Sequence, residues 1–393
     1  MSTLKVGTIR HNSATSDAIT TSANGTCTAH ITNNLSNRNI ILNGGMTCSQ
    51  RGSSFSNLTN HYCLDRFKFR NSNGISGTFT VSQSTESPDG FGNSLKVDVA
   101  SADSAIGAAE VFNVGTKLEG QDLQRLAKGT SGAKKSVLSF YVKTNKTGQY
   151  TVLLYDYDNN RMFSTSYTVS NTNWNRYTID VAADTTGAYG NDNGSSLEIY
   201  WYLGLGSNRT SGTLTNAWAA YSAGNVGPGQ VNFADSTSNE FYITGIQYEV
   251  NESGVATDFE HRSHGEELAR CQRYFYRIGG QSRTYQVVGN GFVGQNGGTK
   301  CAKILINFPT TMRDRPTLSV IGTDAFKGDT GGAASTMDCT ATANTGGMWN
   351  DASSTDIAWV DFGRTGGGSP ANGTAVVVYT TGAQGEVAFS AEL

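Results

Sequence analysis

Among the residues able to do chemistry, the aromatic ones stand out. Tyr200, Trp201 and Tyr202 follow one another inside the apolar run 197–203. A strand sends alternate side chains to opposite faces. Trp201 therefore goes with Ile199 and Leu203, and Tyr200 goes with Tyr202 on the other face. An exposed tyrosine pair can stack on the apolar faces of pyranose rings; the alternative is packing against another domain or subunit. Trp218 and Tyr221 lie in an Ala/Gly/Asn-rich loop, where a partner contact or burial between subunits would account for them.

Oxygen ligands alternate in 156–160 (DYDNN), so Asp156 and Asp158 suit a hard cation such as calcium. An EF-hand loop starting at Asp156 would need glycine sixth and glutamate twelfth, where Arg161 and Tyr167 stand. A hairpin turn is the competing reading. The stretch 184–193 poses the same choice. No other cofactor is implied.

Catalytic signatures are missing. His261 and His264 are three apart without an H-E-x-x-H frame, and read as linker residues. There is no G-x-S-x-G elbow and no Gly-Lys pair for a phosphate loop. A glycosidase carboxylate pair cannot be picked out by spacing. Binding, not catalysis, is the expectation. The six cysteines are at least 15 residues apart, which leaves no C-x-x-C pair and favours free buried thiols.

The elements that must hold these residues are strands. The chain has 393 residues, enough for two or three domains. Charged residues make up 16%, below the ~25% of ordinary domains. Gly, Ser, Thr and Asn take their place, while 17 Tyr and 17 Phe exclude a disordered chain. The net charge of −3 offers no basic patch for nucleic acid. The N-terminus lacks the apolar core of a secretion signal, and no run is long enough to span a membrane. Synthesis in the cytosol and no membrane insertion are expected.

Residues 1–38 offer only Leu4, Val6 and Ile9 as early anchors and read as an extended attachment segment. From 39 to 262, strand-like runs at 39–46, 64–69, 78–81, 95–99, 136–143, 149–155, 175–181, 197–203 and 240–249 are separated by turn residues. That rhythm predicts a jelly-roll β-sandwich. The run 117–126 reads as a helix of two turns at most. In 263–278 a connecting amphipathic helix is predicted: Ser263 and Glu266 form a capping box, Leu268, Cys271 and Phe275 share a face, and Glu266 pairs with Arg270. Residues 279–393 read as a C-terminal β-sandwich domain, with strands at 301–308, 316–321 and 373–379. The fold class is all-β.

Several strings resemble a domain recurrent in bacteriophage tail and other virion proteins: 39–46 (NIILNGGM), 50–52 (QRG), 64–67 (LDRF), 118–123 (LEGQDL), 139–143 (SFYVK), 174–177 (WNRY), 241–249 (FYITGIQYE) and 257–262 (TDFEHR). The front, 1–6 and 33–38, is similar to fibre-like proteins of marine and cyanobacterial phages, and 308–313 with 315–316 resembles fibre tips more loosely. The middle domain is also similar in plan to carbohydrate-binding jelly rolls. The resemblance implies a homotrimeric tail-fibre component on the exposed surface of the virion, made in the host bacterial cytoplasm. Other tail or capsid proteins and host surface polysaccharide would be its partners, and it would carry no catalytic residues. A purely structural virion protein and a polysaccharide depolymerase are the rival readings.

Overall fold

The computed structural model describes residues 6–10, 12–13, 17–25, 27–29, 36–72, 74–280, 285–296, 298–321, 325–331, 336–340, 347–348, 353–381 and 385–393. It is an all-β protein with two packed β bodies. Two antiparallel sheets make the first, a jelly-roll sandwich. The six-stranded sheet runs Asn175–Val181, Ser136–Thr144, Glu240–Val250, Ser94–Ser101, Thr78–Ser84, Ser54–Ser56. The seven-stranded sheet runs Ala219–Ala220, Arg161–Val169, Gly148–Asp156, Ser195–Leu205, Val111–Glu119, Lys68–Ser72, Asn60–Tyr62.

Alternation in each strand supplies the core between them. Phe79 and Val81 point inward from one sheet, as do Leu95, Val97 and Val99; Phe112, Val114, Ile199, Trp201 and Leu203 answer from the other. Trp201 is fully buried, edge-on to Phe140 at 5.7 Å. Burial of such aromatic area dominates core energetics. The strands expected at 78–81, 95–99, 136–143, 149–155, 175–181, 197–203 and 240–249 all form, most of them longer than their apolar runs.

Three local readings need correction. Residues 39–46 are not a strand: Asn43 and Met46 have positive φ, and the Asn43 amide bonds the carbonyls of Cys48 and Asp65, which turns the chain. Residues 64–67 turn as well, with Arg66 at φ 70°, so the strand starts at Lys68. In 117–126 the strand Val111–Glu119 runs through Lys117, and the helical part is a 3-10 turn, Gly120–Leu126, that buries Leu123 and Leu126. Left-handed Ala127 ends it.

The helix is His264–Gln272. Ser263 Oγ accepts from the Glu266 N–H at 3.3 Å, and Glu266 spends its carboxylate on Arg270 at 2.8 Å. Glu267 is not on a solvent face. It is buried, where it accepts from the Asn43 N–H and pairs with Arg262. Phe275 lies beyond the helix, in the strand Phe275–Gly279.

That strand pairs with Glu386–Ser390, which also pairs with Thr317–Ile321. The second body therefore takes in residues expected to be linker. Its larger sheet runs Thr299–Asn307, Val287–Asn296, Ala375–Thr380, Phe326–Asp329, Met337–Thr340, Ile357–Gly367, Gly347–Met348. Thr299–Asn307 also pairs with Ile357–Gly367, which closes the sheet on itself around Val293, Ile304, Phe326, Phe362 and Val378.

At the front, Thr8–Ile9, Ile19–Thr21 and Cys27–Ala29 form a thin sheet. Val6 and Ile9 are exposed, and Leu4 lies outside the described residues. The five described cysteine thiols are free and buried.

Candidate functional site

The outer face of the seven-stranded sheet is divided in two. On one half, the segment 206–231 folds back and covers Leu153, Met162, Tyr202 and Leu205 with Val226. Side-chain and backbone bonds pin it: Ser164 Oγ donates to the Asn225 carbonyl at 2.7 Å, and Gln230 Oε1 accepts from the Thr151 N–H at 2.7 Å. The other half stays open as a groove of about 360 Å³, lined by Asn60, Lys68, Arg70, Asn113, Gly115, Lys117, Glu198 and Tyr200. Ligand sites usually start near ~300 Å³.

Cross-strand register assembles this groove. In one row Tyr62 faces Lys68, Lys68 faces Gly115, and Gly115 faces Tyr200. In the next, Asn60 faces Arg70, Arg70 faces Asn113, and Asn113 faces Tyr202. In a third, Lys117 faces Glu198 and Glu198 faces Tyr155. The inward partners Phe69, Phe112, Val114 and Ile199 fix each strand's face in the core.

Among the groove-lining residues, Asn113 is the one with buried, unpaired side-chain atoms. It is fully buried, yet neither its amide nitrogen nor its carbonyl oxygen has a hydrogen-bond partner. An unpaired buried amide costs ~1–3 kcal/mol, and native structures rarely tolerate one without a reason. A side-chain amide donates and accepts at once, which suits a hydroxyl-bearing ligand. Tyr200 forms the wall beside it. Its hydroxyl donates to Glu198, and Lys117 Nζ pairs with the same carboxylate at 2.6 Å. Burial first, and Glu198 second, raise the Tyr200 phenol, so it stays a neutral donor. Burial also lowers the Lys68 ammonium, helped by Lys117 and Arg70.

Beyond Glu198 the aromatic surface continues. Tyr155 meets Tyr157 at 6.2 Å and Tyr221 at 5.4 Å, both edge-on, and Tyr157 is 60% exposed. Tyr200, Tyr202 and Tyr221 therefore share one sheet face. Tyr202 is not exposed as expected: at 4% it is sealed under the 206–231 segment. Trp218 does not join them. It packs near Phe163 at 6.0 Å, donates to the Ala182 carbonyl at 3.0 Å and lies 5.3 Å from the Lys128 ammonium.

Asp156 and Asp158 do not converge on one ion. Asp156 ends the strand before a hairpin turn and stands opposite Arg161 across the ladder, while Asp158 lies within the turn. Asp156 is fully buried against Lys128 Nζ at 2.6 Å, and Asp184 reaches the same ammonium at 3.1 Å. Asp158 turns away and accepts from the Gly190 N–H at 2.8 Å. The positive charges at this turn are the chain's own Lys128 and Arg161, the latter 2.8 Å from Asp184. His261 packs against Phe91 and Phe259 at 5.1 and 4.8 Å.

A second concavity, about 510 Å³, lies in the C-terminal body beside Asn290, Asp329, Val377 and Tyr379. Asp329 there already accepts from the Gly331 N–H, and none of its lining side chains is left buried and unpaired.

The groove residues Asn113, Gly115, Arg70 and Lys117 were not singled out by sequence. Their signal was present as alternation: 113, 115 and 117 leave the core together, as do 68 and 70. Only the register brings them beside Tyr200.

No family model and no curated protein matches the chain. Among solved structures, it is similar to the enzymatically active domain of tailspike protein 4 of bacteriophage CBA120, at 10% identity and TM-score 0.28 over 54% of this chain and 21% of that one. The chain thus spans about a fifth of the length of that tailspike domain. The xylan-binding domain CBM22-1 of Paenibacillus barcinonensis Xyn10C matches at 11% identity and TM-score 0.28, over 55% of this chain and 95% of that one. A putative sugar binding protein from Bacteroides thetaiotaomicron VPI-5482 matches at 11% identity and TM-score 0.30, over 55% of this chain and 100% of that one.

Proposed function

We propose that the first sandwich binds carbohydrate in the open groove of its seven-stranded sheet, as the glycan-recognising part of a tail-fibre-like protein on the surface of a bacteriophage particle. The observation that carries the binding reading is Asn113, a fully buried amide with both polar atoms unpaired at the floor of a groove walled by Tyr200. A sugar laid on the phenol would offer hydroxyls to that amide. The amide is already desolvated, so bonds to a ligand there carry no further desolvation cost on the protein side.

The reading is binding without hydrolysis. The groove lining holds one carboxylate, Glu198, already shared between Lys117 and Tyr200, whereas glycoside hydrolysis calls for two. The particle setting rests on the strings 39–46 and 257–262 and on the front strands. Thr8–Ile9 is exposed throughout, as is most of Ile19–Thr21, and neighbouring copies in a homotrimer or other virion proteins would cover them. Single grooves bind weakly, and several on one particle add avidity.

The test is a glycan array probed with the full chain, wild type and Tyr200→Ala in parallel. Binding of a defined glycan group by the wild type, reduced at least about tenfold in the variant, supports the proposal. Equal signals, or none, overturn it.

A further inference from the structure

Three cations line the groove, and one carboxylate answers them. Lys117 takes that carboxylate, Glu198, at 2.6 Å. Among the described residues, Arg70 and Lys68 have no carboxylate within salt-bridge distance. Lys68 is turned toward the Tyr62 ring, 5.5 Å away. The next acid, Glu392, is held by Arg66 and by Arg51 at 3.1 Å. The groove therefore carries a local excess of two positive charges on a chain whose net charge is −3.

This excess is not a solvated lysine fringe. Lys68 and Arg70 are both half-buried, on the strand flanking Asn113. Like charges sharing a partly dry groove raise its energy, and an anion entering it relieves that repulsion. The Lys68 ammonium is correspondingly easier to deprotonate, through burial first and then through Lys117 and Arg70. Guanidinium is the side chain best shaped to take an oxyanion through two parallel N–H bonds. Arg70 stands directly across the ladder from the unpaired Asn113 amide.

We infer that the sugar taken by this groove is anionic, with its oxyanion on Arg70, one of its hydroxyls on Asn113 and its ring beside Tyr200. The inference rests on the carbohydrate reading of the groove and narrows it to acidic glycans. A carboxylated uronate and a sulfated sugar present the same chemistry to a guanidinium, and the experiment separates them. Because the groove is open to water, salt should weaken the contact, with a screening length near 8 Å at physiological ionic strength.

The experiment measures affinity of the full chain for polygalacturonate, for the same polymer after carboxyl reduction, and for a sulfated galactan. The proteins are wild type, Arg70→Gln, Asn113→Ala and Lys135→Gln. Lys135 pairs with Asp180 on the other sheet, so its variant removes one charge outside the groove. The expected result is tighter binding of one acidic polymer than of the neutral one. Arg70→Gln should lose about tenfold for the acidic polymer. Asn113→Ala should weaken both, Lys135→Gln neither, and the carboxylated or sulfated arm that responds names the anion. Equal acidic and neutral affinities, still dependent on Asn113, overturn the anionic inference and leave the carbohydrate reading standing. Acidic binding lost equally in Arg70→Gln and Lys135→Gln shows diffuse charge attraction and overturns the inference. No binding of any polymer overturns both.

Discussion

Gly115 lies directly across the ladder from Tyr200, and the missing side chain gives the phenol its place. A Cβ at position 115 would stand 2.5 Å from Tyr200 Cδ1 and 2.8 Å from Cε1. The ring can swing away, so the change is felt more in the groove than in the fold.

Gly115→Ala should therefore keep the protein folded while displacing the Tyr200 ring. Sugar affinity should drop about tenfold or more, the scale of ~1.4 kcal/mol. Calorimetric titration alongside thermal melting checks this. A variant that melts normally and binds like the wild type contradicts the placement of the ring.

Asn113→Leu should separate stability from function. Removing an unpaired buried amide should stabilise the chain by ~1–3 kcal/mol, a rise of a few degrees in Tm, while abolishing sugar binding. Denaturant melts and titration of the same sample measure both. A fall in stability would mean that Asn113 is already satisfied in the free protein.

Glu119 joins the two β bodies. It is fully buried, and Arg273 reaches it through Nε at 2.9 Å and a terminal nitrogen at 2.8 Å, with Tyr274 as a further donor. Burial alone would raise the Glu119 carboxyl. The Arg273 and Tyr274 hydrogen bonds outweigh it, and the net direction is down. A carboxyl lowered on folding stabilises above its unfolded pKa, ~4.3. That contribution is lost as pH falls through the folded value. Glu119→Gln should cost ~3 kcal/mol at pH 7 by leaving Arg273 without its charge partner, and should flatten the loss of stability below pH ~4. Unfolding curves across that range decide it, and an unchanged pH profile would contradict the role given to Glu119.

Lys128 sits where a calcium ion would be drawn to the carboxylates of Asp156 and Asp184. The wild-type Tm should be unmoved by chelator or by millimolar calcium. Lys128→Met should lose ~3 kcal/mol, because the buried Asp156 carboxylate is left without its cation while Arg161 still holds Asp184 at 2.8 Å. A chelator-sensitive wild type would restore calcium to the turn.

The strands with long alternating runs were legible because their inward side chains meet one core. The run 240–249 and the pattern of Ile199, Trp201 and Leu203 show this. Helix start and the Glu266–Arg270 pair were legible because they depend on neighbours three or four residues away. Segment 39–46 misled because its apolar residues are buried without a ladder, held instead by the Asn43 amide. Half of the site was visible. Tyr200 could be placed on an outward face, but the cover over Tyr202 comes from a segment whose path no local pattern reveals. Asn113 and Arg70 stand 43 residues apart and meet only through register.

The most direct test of the sugar groove is a crystal structure of the full chain soaked with an oligosaccharide from the best array hit. A sugar ring lying beside Tyr200, with at least one hydroxyl within hydrogen-bond distance of the Asn113 amide, is the predicted result. A ring bound elsewhere, with Asn113 still unpaired, would contradict the assignment of the groove.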